Sequence, residues 1–287
     1  MPLLAEPLLD WYATHARELP WRRPGTSPWA VLVSEVMLQQ TPVARVLEPW
    51  AAWLARWPTP AALAAAAPGD AVRMWGRLGY PRRALRLHEA ARAMVTRHGG
   101  AVPADLDALL ALPGVGAYTS RAVAAFAFGQ RHLVVDTNVR RVLARVVDGV
   151  GAAGLPSVAR DLAAASAVLP DDAHAARFSV ALMELGAVVC TARSPRCDEC
   201  PLAGQCAWLA SGRPAFDGPV RRQAYAGTDR QARGALLGVL RDSVGPVAPG
   251  ALDLAWAPAA QRSRAIAGLL ADGLVEQTED GAFQLPA

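Results

Sequence analysis

The chain has 287 residues, of which 29 are basic and 25 acidic, for a formal net charge of +4. All 29 basic residues are arginine, and no lysine occurs anywhere. Chemistry that needs a lysine amine is therefore excluded: Schiff-base catalysis, pyridoxal-phosphate linkage and a Walker-type phosphate loop. Arginine-rich, lysine-free composition is the mark of a GC-rich genome, and the exclusions hold whatever its cause. Hydrophobic residues make up 53%, enough to fill the core of one large or two modest domains. No apolar run approaches the ~20 residues needed to span a bilayer. The N-terminus lacks a basic segment followed by an apolar stretch, so a cytoplasmic protein with no membrane partner is expected. The mild positive charge permits a nucleic-acid partner without demonstrating one.

Helical periodicity dominates the chain, with apolar residues recurring at three and four. Leu3 to Arg17 forms one amphipathic segment. Ser27 and Pro28 suit the N-cap and first position of a helix over Trp29 to Gln40. Pro42, Pro49, Pro58 and Pro60 then punctuate further short helices. Asp105 and Asp107 suit the start of a helix ending near Leu112. Residues 211–227 are rich in Gly, Pro and Arg and read as a linker. Helices over Asp229 to Asp242, Leu252 to Ala257 and Ala259 to Asp272 follow, then a hairpin around Asp280-Gly281. Three helices and a hairpin make a winged-helix pattern over 228–287. The expected architecture is all-α through about residue 210, followed by this small C-terminal unit.

Cys190, Cys197, Cys200 and Cys206 fall within 17 residues. A reducing compartment disfavours disulfides. A structural zinc site often pairs two CxxC units, and here there is one. Four thiolates from such a loop suit a cubane iron–sulfur cluster, which the spacing favours over zinc. Arg193 and Arg196, between the first two cysteines, suit either a DNA phosphate or simple solvation.

Leu112-Pro113-Gly114-Val115-Gly116 joins two expected helices. Gly114 and Gly116 let the backbone turn sharply and aim N–H groups at a phosphate, or simply make a tight turn. Asp136 follows the apolar Leu133-Val134-Val135 and opens a helix. It is an N-cap or a partly desolvated catalytic carboxylate. Glu35 sits in an otherwise apolar helix, where buried glutamates are usually paired or functional. Together they supply the acid and anion of a two-carboxylate glycosidic hydrolysis.

These pieces together resemble the helix–hairpin–helix DNA glycosylases of the endonuclease III superfamily, and specifically the adenine DNA glycosylases. The match runs from about Leu3 to Cys206. It includes Leu19-Pro20-Trp21-Arg22, Ser34-Glu35-Val36-Met37-Leu38-Gln39-Gln40-Thr41 and Gly76-Arg77-Leu78-Gly79-Tyr80. It continues through the glycine hairpin with Tyr118, Val135-Asp136-Thr137-Asn138-Val139-Arg140-Arg141-Val142 and Met183-Glu184-Leu185-Gly186-Ala187. The resemblance implies a six-helix module at about 22–131 and a 4Fe–4S module at about 1–21 and 132–210.

The implied reaction is hydrolysis of the N-glycosidic bond of adenine opposite 8-oxoguanine or guanine in duplex DNA. Glu35 protonates the base, Asp136 stabilises the sugar cation, and Asn138 and Tyr118 position these groups. Trp21, Arg22 and Glu184 match positions lining the adenine pocket. Gln40 and Tyr80 match residues entering the base stack, with Gln39 and Thr41 beside them. Bifunctional relatives carry a lysine after the glycine hairpin; Tyr118 stands there, so strand cleavage is not expected. A monomer working on the nucleoid is expected. Two departures stand out. Pro81 replaces a second tyrosine, and residues 228–287 are too few for the usual Nudix-like domain. Gln261, Arg262, Ser263 and Arg264 on the third helix of the winged-helix-like unit suit DNA contact, or packing or partner binding. The competing readings are a thymine glycosylase acting on G·T mismatches and a non-catalytic iron–sulfur DNA-binding or redox-sensing protein.

Overall fold

The structure is a computed structural model that describes residues 4–215 and 225–287. Residues 216–224, most of the expected linker, lie outside the described residues. Helix α1 (Ala5–His15) buries Ala5, Leu8 and Trp11, a stripe at helical spacing. A 3-10 turn at Pro20–Arg22 follows. Helix α2 (Pro28–Leu38) opens as expected, with Ser27 Oγ accepting from the Ala30 amide at 3.2 Å. It is buried nearly all round, Ser34 and Glu35 included, which makes it a core helix rather than an amphipathic one.

Helix α3 (Val43–Arg56) continues through Pro49, where the sequence suggests a break. The proline removes one interior hydrogen bond. Val46, Trp50 and Trp53 offset that loss, because together they bury one continuous stripe of the same helix. Helices α4 (Pro60–Ala64) and α5 (Pro68–Trp75) each start at a proline. Helix α6 (Arg82–His98) ends at Gly99 in the left-handed conformation. Helix α7 (Leu106–Leu110) leads to the glycine hairpin and to α8 (Ala117–Phe128). Helix α9 (Thr137–Val146) is capped by Asp136, and α10 (Val158–Ser166) and α11 (Asp172–Val188) follow. Helix α12 (Ala207–Ala210) closes the cysteine loop.

The C-terminal helices are α13 (Asp229–Asp242), α14 (Pro249–Ala255) and α15 (Ala259–Ala271). Strands β1 (Glu276–Gln277) and β2 (Phe283–Gln284) pair antiparallel, Glu276 opposite Gln284. Val247 bridges to Phe283 as a third short edge. This is the winged-helix pattern. Among the described residues no helix is long and apolar enough to cross a membrane.

The chain divides into two units. The first comprises Met1–Val31, Ala104–Leu106 and Gly116–Val220. Its core joins α1, α9, α11 and the cysteine loop through Leu8, Val142, Phe178, Leu185 and Leu202. The second comprises Leu32–Pro103, Asp107–Val115 and Arg221–Ala287. Here the C-terminal segment is tied to α5. The Gly69 amide donates to Pro286 O at 2.8 Å, and Arg241 Nε to Val72 O at 2.9 Å. Arg73 Nη1 donates to the carbonyls of Arg241 and Ser243 at the end of α13. Gly69 is required there, because a Cβ would stand 2.4 Å from Pro286 O.

Candidate active site and cluster loop

In the first unit, Asp136 caps α9 with its own side chain. One oxygen accepts from the Val139 amide at 2.7 Å, the other from Asn138 Nδ2 at 2.8 Å. Asn138 Oδ1 in turn accepts from Arg141 Nη2 at 2.8 Å. Arg141 is itself fixed to the backbone of α11 and the cysteine loop, through Gly186 O at 2.6 Å and Cys190 O at 2.8 Å. The close approach of α9 and α11 needs Gly186, where a Cβ would lie 2.6 Å from Asn138 Cβ. Burial pushes the Asp136 carboxyl above its ordinary range, against the lowering effect of the Val139 and Asn138 hydrogen bonds and the Arg141 charge. The arrangement holds a carboxylate in fixed orientation in a partly dry setting. Tyr118, on the first turn of α8, packs beside Ala122, Ala125 and Val134.

Glu184 lies on α11 with no exposed surface. Its Oε1 accepts from the Arg17 backbone amide at 3.0 Å and from Arg17 Nε at 2.6 Å. Its Oε2 accepts from Arg17 Nη2 at 2.9 Å and Arg22 Nη1 at 2.8 Å. Burial works to raise this carboxyl, but the Arg17 and Arg22 bonds and charges outweigh it and hold it below the usual range. Glu184 thus anchors Arg22 and the adjoining Trp21, which is buried in the Pro20–Arg22 turn.

In the second unit, Glu35 is 5% exposed on α2. The helix leads to Gln39, Gln40 and Thr41. Gln40 and Tyr80 are exposed and both have left-handed backbone, with φ of 56° and 47°, a conformation that costs a bulky residue energy. Thr41 is buried, and its hydroxyl donates to Leu78 O at 3.2 Å. In the hairpin, Gly114 has φ of 75° and a Cβ there would meet Arg86 Cβ at 2.5 Å. Gly116 is extended and serves as N-cap of α8 without a side-chain hydrogen bond, at the positive end of the helix dipole.

Cys190, Cys197, Cys200 and Cys206 line one cavity with Val142, Leu185 and Trp208, and none forms a disulfide. Burial pushes the Cys200 thiol up to about 11, opposed by the Leu202 amide and reinforced by the other three sulfurs. A thiol so placed becomes a thiolate when a metal binds it. Four sulfurs facing one shared cavity are the donor set that an iron–sulfur cluster takes. Arg145 is buried behind them. Its guanidinium donates to Cys190 Sγ at 3.3 Å and lies over Trp208 at 4.6 Å.

The model for HhH-GPD superfamily base excision DNA repair proteins matches residues 33–149, and that for the iron–sulfur binding domain of endonuclease III matches 190–206. The chain is 60% identical over 281 residues to an adenine DNA glycosylase of Mycobacterium tuberculosis, covering 97% of this chain and 92% of that one. The chain belongs to the adenine DNA glycosylase family. Its fold is shared with a thermostable thymine-DNA glycosylase, at TM-score 0.66 and 27% identity, over 73% of this chain and 96% of that one. It is shared too with endonuclease III in a non-covalent DNA complex, at TM-score 0.63 and 24% identity, over 73% and 95%. The cofactor of this adenine DNA glycosylase family member is a 4Fe–4S cluster, and its four cysteines fit the cluster-binding motif.

Of the arginines that organise these sites, Arg141 falls within the family-like stretch Val135 to Val142, where no role is assigned to it by the resemblance. Arg17, Arg83 and Arg145 lie outside the stretches that carry the resemblance, and each binds several acceptors. The third helix of the winged unit is also informative. Gln261 donates to Asp229 Oδ1 and accepts from Trp256, Arg262 pairs with Asp253, and Arg264 pairs with Asp229. These side chains are used in packing the unit itself.

Proposed function

We propose that this chain, a DNA glycosylase by family, excises adenine opposite 8-oxoguanine or guanine in duplex DNA and leaves the strand intact. The observation that carries this reading is the 60% identity to a named adenine DNA glycosylase across nearly the whole chain. Residues 1–210 form the catalytic part, joined through 211–227 to the winged unit at 228–287. The protein acts as a monomer on chromosomal DNA in the cytoplasm.

Adenine leaves poorly as an anion, so a proton must reach its ring as the bond breaks. Glu35 supplies it to N7, and the glycosidic electron pair departs with the base. The sugar is left as an oxocarbenium-like cation. Asp136, its pKa raised by burial while the Val139 amide and Asn138 favour its ionised form, stabilises that cation as a carboxylate until water adds at the anomeric carbon. Tyr118 stands where bifunctional relatives carry a lysine. With no lysine in the chain, no side-chain amine forms the imine that strand cleavage requires. Trp21, Arg22 and Glu184 shape the adenine pocket. Gln39, Gln40, Thr41 and Tyr80 form the stack-entering face, offsetting the few kcal/mol of base flipping. Gly114 and Gly116 with the α8 N-terminus hold a phosphate.

The test offers duplexes with A opposite 8-oxoguanine, A opposite G, and T opposite G, each worked up with and without alkali. The expected result is free adenine from the first two, with strand breaks only after alkali. Thymine release from the third, with no adenine from the others, would favour the thymine glycosylase instead. Breaks in neutral buffer with a borohydride-trapped adduct would overturn the intact-strand reading.

A further inference from the structure

Within the second unit, one arginine is shared by two strained turns. Three described residues other than glycine have positive φ, and two of them are Gln40 and Tyr80. Arg83, on the first turn of α6, reaches both. Its Nη1 donates to Val36 O at 2.8 Å, Met37 O at 3.0 Å and Gln39 O at 2.6 Å. These carbonyls lie at the end of α2, where the helix itself offers no partner. Its Nη2 donates to Thr41 Oγ1 at 3.0 Å and Gly79 O at 3.0 Å. The same guanidinium lies 5.0 Å from the Trp75 ring centre and 5.6 Å from that of Tyr80. Trp75 Nε1 closes the arrangement by donating to Gly79 O at 2.9 Å.

We propose that Arg83 is a positioning residue that fixes the Gln40 and Tyr80 turns in one register, so that both side chains reach into the duplex together. The proposal rests on the functional reading above, in which these two residues enter the base stack. A planar fork is needed because one nitrogen serves the α2 end and the other the Gly79 turn. A lysine ammonium is a single point and serves one side only. Loss of register leaves each side chain able to touch DNA but misaligns the pair, and small misplacements of this kind slow chemistry by one to two powers of ten.

The test uses the full-length protein and a duplex with 2-aminopurine beside an adenine opposite 8-oxoguanine. Wild type should raise the fluorescence as the target unstacks, then release adenine. Arg83→Lys should give a smaller rise and excise on the order of tenfold more slowly in single turnover. The same substitution in a Gln40→Ala/Tyr80→Ala background should slow excision by less than about twofold, because the residues it acts through are gone. A purely structural role predicts an equal loss in both backgrounds, and that result overturns the proposal. So does an Arg83→Lys protein with wild-type fluorescence and rate. Should Arg83→Lys fail to fold, Thr41→Val removes one of the bridged acceptors and must show a smaller loss of the same non-additive kind; an additive loss overturns the proposal. Wild type that releases no adenine from any duplex overturns the functional reading, and the proposal with it.

Discussion

Replacing Glu184 by glutamine keeps the size of the side chain and removes its charge. The wild-type carboxylate is fully buried and accepts four hydrogen bonds, three from Arg17 and one from Arg22. Breaking a buried pair by removing one partner costs about 3–5 kcal/mol. The arginines are partly solvated, with side-chain exposures of 38% and 20%, so water can take up part of their released bonding. That places the loss near the lower end, about 3 kcal/mol, or roughly 6–12 °C in melting midpoint. The pH dependence has a definite sign. The folded Glu184 carboxyl is held below its unfolded value, so its stabilisation is complete above the ordinary glutamate pKa of about 4.3. It is lost as pH falls through the lower, folded-state value. Urea titration of wild type and Glu184→Gln at neutral and acidic pH measures both. A stability difference below about 1 kcal/mol at neutral pH, or one that does not shrink in acid, would show that the buried Glu184 charge is not what holds Arg17 and Arg22.

Asn138→Ala removes one bond that favours ionised Asp136, whose carboxyl burial already raises; the acid limb of the single-turnover pH profile should move to higher pH, and an unmoved limb counts against it. Gly186→Ala places a Cβ 2.6 Å from Asn138 Cβ; overpacking should cost about 1–3 kcal/mol in urea titration. Gly69→Ala drives a Cβ against Pro286 O at 2.4 Å, so hydrogen exchange over residues 276–287 should accelerate while that over α9 and α11 stays unchanged. Cys200→Ser should lower bound iron and the visible charge-transfer absorbance of the purified protein, whereas full iron content would remove Cys200 from the ligand set.

Much of the fold was legible because local signals agreed with each other. Thr228 and Ser243 bracket α13 at the span its periodicity predicts, and Ser27-Pro28 opens α2 where its cap chemistry does. Pro49 does not break α3, because the burial of Trp50 and Trp53 overrides a proline's local cost. In the candidate site, Glu35 and Asp136 stood out as carboxylates within apolar runs, and the structure places both in dry or partly dry surroundings. What surrounds them was hidden. The chain uses arginine for every basic position, so composition gives no contrast between Arg83 or Arg145, turned inward, and a solvated arginine such as Arg23. Their roles depend on which carbonyls chain reversal leaves unpaired, and that is a property of the fold rather than of any short motif.

In the proposed mechanism Asp136 carries the excision chemistry. The direct measurement is single-turnover adenine release by Asp136→Asn from a duplex with A opposite 8-oxoguanine, with duplex binding by the same protein. Asparagine keeps the shape and much of the capping, so binding should stay close to wild type and excision should slow by about 10²–10⁴. Excision within about tenfold of wild type, with binding intact, would contradict that role of Asp136.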